Sequence, residues 1–353
     1  TEVIQDPSWP DRLWGTVEDL TRLLLASYPD QHACWQTLQW SNLLKQRLDV
    51  YLAALRQRGE VSILKTSHGD LHLQNLCLFK GKLIAYDALE FDNDLIQIDE
   101  LYDIAFLVMD LWHHGFWQEA NEVWNRYMGL TGDYASAFLM PLYCSLRAGV
   151  RGMVAALRGN LSAANAYLMT GTSFLFPMPH PDRILIAGRS GTGKTTIAAA
   201  LAPKCLPPPG AVHMRSDIIR KRMKGQLPEV TLPPEAYSAT ATMEVYCRCA
   251  DAFVSVAGKH PVILDVALAA KTQDISSLDV LKAEKIWLTA PEEVLKQRMT
   301  KRLNDASDAT IDVMATQRAA PPSKSWHVVD ASGTVEQTID QIVGDLPEQR
   351  PLQ

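Results

Sequence analysis

Through the first half of the chain, apolar residues recur at three- and four-residue steps. After Ser41, residues Leu43, Leu44, Leu48, Tyr51, Leu52 and Leu55 mark one face and Gly59 follows. That pattern predicts an amphipathic helix with Ser41 at its N-cap and Gly59 just past its end. Ile63-Leu64 then leads into a polar loop, His68-Gly69-Asp70-Leu71-His72. Two short strands are predicted next, Leu76 to Phe79 and Leu83 to Tyr86, joined by a tight turn at Lys80-Gly81-Lys82. Helical periodicity returns from Ile96 to Trp112, and again beyond Phe116 and Pro141. It stops at Phe176-Pro177-Met178-Pro179-His180-Pro181-Asp182, where alternate prolines forbid both helix and central strand.

Beyond that stiff segment the period changes. Short apolar runs at Arg183 to Ala187, Ala211 to Met214, Pro261 to Asp265, Lys285 to Thr289 and Trp326 to Val329 read as strands separated by helical stretches. Alternation of this kind predicts a parallel sheet covered on both faces. The expected architecture is therefore α/β in three parts. A mainly helical module occupies residues 1–176, a Pro-rich linker 177–182, and a domain with a five-stranded parallel sheet 183–353.

Composition narrows the function classes. The net charge of −6 and the absence of any Lys/Arg block argue against a nucleic-acid partner, which requires a basic face. No apolar run approaches the roughly 20 residues of a membrane span. Six cysteines in 353 residues are too sparse for a disulfide scaffold, and the cytoplasm is the expected compartment. Cys247 and Cys249, and the adjacent His113 and His114, sit at spacings that diverge on a helix and predict no metal site. The chain starts at Thr1 rather than at a Met, which predicts that sequence precedes it.

Candidate chemistry concentrates at Gly188-Arg189-Ser190-Gly191-Thr192-Gly193-Lys194-Thr195. This G-x-x-x-x-G-K-[ST] motif follows the apolar run Ile184-Leu185-Ile186 and enters the helical run that opens with Thr196, the context it needs. Glycines at 188, 191 and 193 let backbone N–H groups turn toward one anion at a helix N-terminus. Ser190, Thr192 and Thr196 complete the expected phosphate cradle. Lys194 is expected to reach the β- and γ-phosphates of ATP, and the Thr195 hydroxyl to help hold Mg²⁺.

Three further clusters suit a transferase. Asp217, in Arg215-Ser216-Asp217, falls at a strand's carboxyl end, where open α/β sheets bind ligands. It is placed to orient an acceptor hydroxyl or take its proton, with Arg220 beside it for an anionic substrate group. Asp265 ends the run Val262-Ile263-Leu264 and suits an acid that holds Mg²⁺ through water or activates the acceptor. Arg298 and Arg302 share a helical face before Asn304-Asp305-Ala306-Ser307-Asp308 and are expected in a lid over the transferring phosphate. Together these segments resemble small P-loop kinases of the adenylate-kinase and shikimate-kinase type. The resemblance spans residues 183–345 and implies ATP-dependent phosphoryl transfer to an acceptor it does not name.

In the first module, His68-Gly69-Asp70-Leu71-His72-Leu73-Gln74-Asn75 precedes a hairpin that ends at Asp87. Asp-x-x-x-x-Asn, two strands, then Asp matches the layout of a proton-accepting Asp followed by two metal ligands in kinase folds. Residues 35–175 resemble the aminoglycoside-phosphotransferase family, a protein-kinase-like C-lobe. By that likeness Asp70 is the catalytic base, Asn75 and Asp87 are metal ligands, and Asp103 is a structural carboxylate behind the loop. The departure is upstream of His68, where only Gly15 and Gly59 occur and no strand carries a phosphate-binding Lys. The family's N-terminal β-lobe is missing, so the chain is expected to be either a C-terminal fragment or a protein whose first module has degenerated.

The functional expectation is an ATP- and Mg²⁺-dependent phosphotransferase acting on a hydroxyl of a small molecule, carried chiefly by residues 183–353. The competing expectation is a regulatory or scaffold protein that binds nucleotide without turning it over.

Overall fold

A computed structural model describes residues 3–28, 34–60, 64–90, 92–176, 183–268, 275–300, 308, 314 and 317–345. The linker expected at 177–182 lies outside them. The chain divides into two compact units, each with a small insertion from the other's span. The first comprises residues 1–124, 138–178 and 207–209, and the second 125–137, 179–206 and 210–353.

The first unit opens with β1 (Val3–Ile4), α1 (Trp9–Ser27), α2 (Trp35–Glu60) and β2 (Leu64–Thr66). A 3₁₀ turn (Leu73–Asn75) leads into the hairpin β3 (Leu76–Phe79) and β4 (Lys82–Ala85), followed by α3 (Asn93–Ile96) and β5 (Gln97–Asp99). Then come α4 (Glu100–His113), α5 (Trp117–Thr131), which runs on into the second unit, α6 (Met140–Leu157) and α7 (Leu161–Phe174). Buried Trp9, Leu13, Val17, Leu20 and Leu24 step along one face of α1 at the helical period, so that face drives packing against α2 and α6.

Four local expectations change here. The second helix begins at Trp35, six residues before Ser41, because buried Trp40 and Ser41 belong inside it. Gly59 is not a cap but lies within the helix, where a Cβ would come within 2.2 Å of the Asp6 carbonyl oxygen. The hairpin loop is the two residues Lys80 and Gly81, both at positive φ, so the second strand starts one residue earlier than alternation suggested. The single helix read from Ile96 is interrupted by β5, which pairs with β2.

In the second unit the elements are β6 (Arg183–Gly188), α8 (Lys194–Leu201), β7 (Val212–Arg215), α9 (Ser216–Met223), α10 (Ala239–Val256) and β8 (Val262–Val266). After them come α11 (Ser276–Asp279), β9 (Glu284–Thr289), α12 (Glu292–Thr300), β10 (His327–Asp330) and α13 (Val335–Asp345). All five expected strands are present within one residue of their predicted bounds. They form one parallel sheet in the order β10-β9-β6-β8-β7. The central β6 is buried on both faces through Ile184, Leu185, Ile186 and Ala187. Each such aliphatic side chain contributes about 1.5–3 kcal/mol on burial. The protein is thus α/β, with a mainly helical first part and a five-stranded parallel sheet in the second. Among the described residues, no helix is long and apolar enough to cross a membrane.

Burial also leaves a titratable group in the sheet's support. His260, fully buried before β8, donates through Nε2 to the Gly210 carbonyl at 2.8 Å, and burial pushes its pKa down to about 4. The unfolded chain binds a proton below about pH 6.5 while the folded one does not. Stability contributed by neutral His260 is therefore present above pH 6.5 and is lost progressively as pH falls toward 4, by up to about 3 kcal/mol. Urea unfolding at pH 7 and pH 4.5 should show this loss, and His260→Gln should flatten it. An unchanged pH profile in that variant would refute the assignment.

Candidate active site

Strands β6, β7 and β8 end on the same side of the sheet, and the chain turns from β6 into the glycine-rich loop there. Gly188, Gly191 and Gly193 hold φ of 152°, 87° and 88°, a range that side chains rarely adopt. A Cβ at Gly188 would stand 2.5 Å from the Leu288 carbonyl oxygen, and one at Gly191 would stand 2.8 Å from that of Leu295. Glycine is therefore required by contact as well as by dihedral. Gly193 caps α8, so the helix N-terminus points into the loop's concavity.

A cavity of about 450 Å³ opens over this loop, within the size range of small-ligand sites. Its floor is Ser190 to Ile197, with Arg215, Ser216, Asp217 and Asp265 on one side. Arg298, Ala331, Gly333 and Thr334 bound the other. Lys194 is buried and donates to the Arg189 carbonyl at 3.1 Å. Thr195 Oγ1 donates to Asp265 Oδ2 at 2.6 Å. That pair comes together because β8 lies directly beside β6, with Asp265 in register with Ile186. Burial on its own would raise the Asp265 carboxyl, but His213, Lys194 and Arg215 outweigh it and hold the pKa at about 2. A hydroxyl and an ionised carboxylate side by side form the hard oxygen donor set that a divalent cation such as Mg²⁺ takes.

Residues 184–321 match the family model described as an AAA domain. The second unit is a P-loop NTPase domain. Among curated proteins, uncharacterized proteins of Mycobacterium tuberculosis and Mycobacterium bovis are 26% identical over 291 residues, 78% of this chain. The matched stretch spans 57% of those relatives' length. Among solved structures, a sugar kinase from Janibacter sp. is 25% identical, with a TM-score of 0.34, covering 46% of this chain and 94% of its own. A gluconokinase from Sinorhizobium meliloti is 18% identical, with a TM-score of 0.32, covering 47% and 92%.

The P-loop domain departs from the sequence expectations at several side chains. Arg220 does not line the cavity. Its guanidinium is buried over the Tyr237 ring, 4.7 Å from the centroid, and donates to the Ala236 carbonyl at 2.6 Å. It is committed to the 234–237 turn because burial demands partners. Its neighbour Lys221 donates to Asp308 Oδ1 at 3.0 Å, and Asp308 also accepts from the Leu232 N–H and the Tyr237 hydroxyl. Arg298 lines the cavity, but it projects from α12 and donates to the Ala331 carbonyl at 2.8 Å, fixing the 331–333 wall rather than riding on a lid. Arg302 lies outside the described residues. Ser190 borders the cavity, yet its N–H is already given to Gln317 Oε1 at 2.6 Å. Sequence reasoning missed Gln317, His213 (Nε2 3.7 Å from Asp265 Oδ2) and the wall from Ala331 to Thr338. Only the small residues Ala331-Ser332-Gly333 after the last strand gave a signal.

In the first unit, Asp70 and Asn75 do come together. Asn75 Nδ2 donates to Asp70 Oδ2 at 3.0 Å, and His72 Nε2 lies 3.3 Å from the same oxygen. The His72 contact outweighs burial and, with Asn75, holds the Asp70 carboxyl below its ordinary range. Asp103 accepts from the N–H groups of His68 and Gly69 at 3.0 and 2.9 Å, the position behind the loop expected of it. Asp87 is exposed at a φ of 61°, and the described residues contain no cluster of three acidic, His or Cys side chains able to hold a metal.

Proposed function

We propose that this protein is an ATP-dependent kinase that phosphorylates a hydroxyl group of a small molecule, with the reaction carried by the P-loop domain. The observation that carries this reading is the convergence of three parts on one cavity: the phosphate loop with Lys194, the Thr195–Asp265 pair, and Asp217. A simple nucleotide sensor needs the first. A carboxylate facing the same cavity from the start of α9 gives the acceptor a place and its proton a destination.

In this mechanism the loop N–H groups and the α8 N-terminus bind the phosphate chain, and Lys194 leaves the Arg189 carbonyl for the β- and γ-oxygens. Thr195 and Asp265 would hold Mg²⁺, which when bound supplies charge neutralisation to the triphosphate. Asp217 orients the acceptor hydroxyl and takes its proton as the oxygen–γ-phosphorus bond forms and the bond to the bridging β–γ oxygen breaks.

Asp217→Asn keeps size and removes the proton acceptor. ATP affinity, measured by calorimetric titration, should stay within about twofold, while metabolite-stimulated ATP consumption falls by about 10²–10⁴. Stimulated turnover at wild-type rate in this variant would remove Asp217 from the mechanism.

The Asp70–Asn75 pair over Asp103 supports a second, subordinate reading, in which the first unit keeps a phosphotransferase-like carboxylate site. If the P-loop domain carries the reaction alone, Asp70→Asn leaves metabolite-stimulated ATP consumption unchanged. A loss above about tenfold would instead assign chemistry to the first unit.

A further inference from the structure

Gln317 is outside the phosphate-loop motif by more than 120 residues, yet it spends its whole side-chain amide on one loop residue. Its Oε1 accepts from the Ser190 N–H at 2.6 Å, and its Nε2 donates to Ser190 Oγ at 2.9 Å. The orientation of the amide is fixed by chemistry, because a backbone N–H can face only the oxygen. Ser190 is buried, so its N–H has no water to fall back on if the glutamine goes.

The segment that carries Gln317 is itself anchored. The Gln317 N–H donates to the Met314 carbonyl at 3.1 Å, and the Arg318 N–H donates to the Leu268 carbonyl just past β8, also at 3.1 Å. The inner turn of the loop is tied as well, since the Arg189 carbonyl accepts from the Thr192 N–H and hydroxyl and from Lys194 Nζ. Gln317 fastens Ser190, which lies inside that turn. Ser190 also lines the cavity in which the phosphates would lie.

We propose that Gln317 is a positioning residue for nucleotide binding: it pins Ser190 so that the remaining loop N–H groups are already turned inward when a phosphate chain arrives. This rests on the reading of the loop as the nucleotide site. An amide suits the place because it is neutral. A carboxylate there would make the same contacts, accepting from both the N–H and the hydroxyl of Ser190, but would set a negative charge beside the phosphates.

The test is equilibrium binding of a fluorescent N-methylanthraniloyl-ADP to the full chain with Mg²⁺, at 50 and 500 mM salt. Variants are Gln317→Leu, Gln317→Glu and, as reference, Lys194→Ala. Gln317→Leu should weaken binding by about 5–20-fold at both salt concentrations, since it orphans a buried N–H. Gln317→Glu should weaken it at 50 mM salt and recover most of the loss at 500 mM, where charge is screened. A merely structural role for the side chain would lower the melting temperature in both variants without a salt-dependent affinity. If Gln317→Leu fails to fold, the salt response of Gln317→Glu decides. Wild-type affinity in the Gln317 variants, with binding lost in Lys194→Ala, overturns this inference and leaves the nucleotide site standing. No binding by the wild type overturns both.

Discussion

Lys194→Ala is expected to abolish nucleotide binding in the micromolar range and to lower any ATP turnover by at least about 10²–10³. Lys194 is buried at the N-terminus of α8, its ammonium donates to the Arg189 carbonyl, and its charge helps hold the Asp265 carboxyl low. Exchanging that carbonyl for phosphate oxygens keeps the ammonium hydrogen-bonded during binding and pairs its charge. Alanine removes that cation from the loop and with it one of the charges that hold the Asp265 carboxyl low. The Asp265 carboxylate then faces the phosphates with less positive charge beside it, so the loss should exceed that of one hydrogen bond. Binding of labelled ATP to Lys194→Ala at wild-type affinity would show that the loop is not the nucleotide site.

The second large effect belongs to the first unit. Asp99, fully buried at the end of β5, accepts from Arg58 Nη2 at 2.6 Å, from the Tyr143 hydroxyl at 2.8 Å and from the Leu101 N–H at 2.9 Å. Burial beside that carboxylate pushes the Tyr143 phenol well up, so it stays a donor, and it also accepts from Trp9 Nε1 at 3.2 Å. One ion pair thereby joins α2, β5, α6 and α1. Arg58→Met keeps the aliphatic volume and strands the Asp99 charge, at a cost of about 3–5 kcal/mol. Arg58→Met with Asp99→Leu should recover much of that loss, because the expense is the unpaired charge rather than the missing contact. Urea unfolding followed by tryptophan fluorescence reads both. A loss below about 1 kcal/mol in Arg58→Met would mean that the pair is not dry in solution.

The parts of this protein that were legible in the sequence are those written in local pattern. Strands β6 to β10 are short apolar runs bounded by polar residues, and the phosphate loop is contiguous with its strand and helix. Their bounds, within one residue, followed from the period change alone. The hairpin β3–β4 was nearly as clear, although alternation cannot say which residues of Lys80-Gly81-Lys82 adopt positive φ. Side chains whose partners come from distant segments were not legible. Arg220 looked like a ligand-binding cation until the 234–237 turn was seen folded over it, and Gly59 looked like a helix stop because the approach of Asp6 leaves no local mark. Gln317 and His213 carry no motif. They matter through their partners, Gln317 through Ser190 and His213 through Asp265, both of which line the cavity.

The central claim is that this cavity transfers phosphate to a small hydroxylated molecule rather than merely binding or hydrolysing ATP. The most direct measurement follows the label from γ-³²P-ATP in the presence of Mg²⁺ and a panel of hydroxylated metabolites, with Asp217→Asn in parallel. The account predicts label in one acidic, non-nucleotide product, formed by the wild type and suppressed in the variant. Nucleotide binding with no labelled product from any acceptor, or label released only as inorganic phosphate, would contradict it.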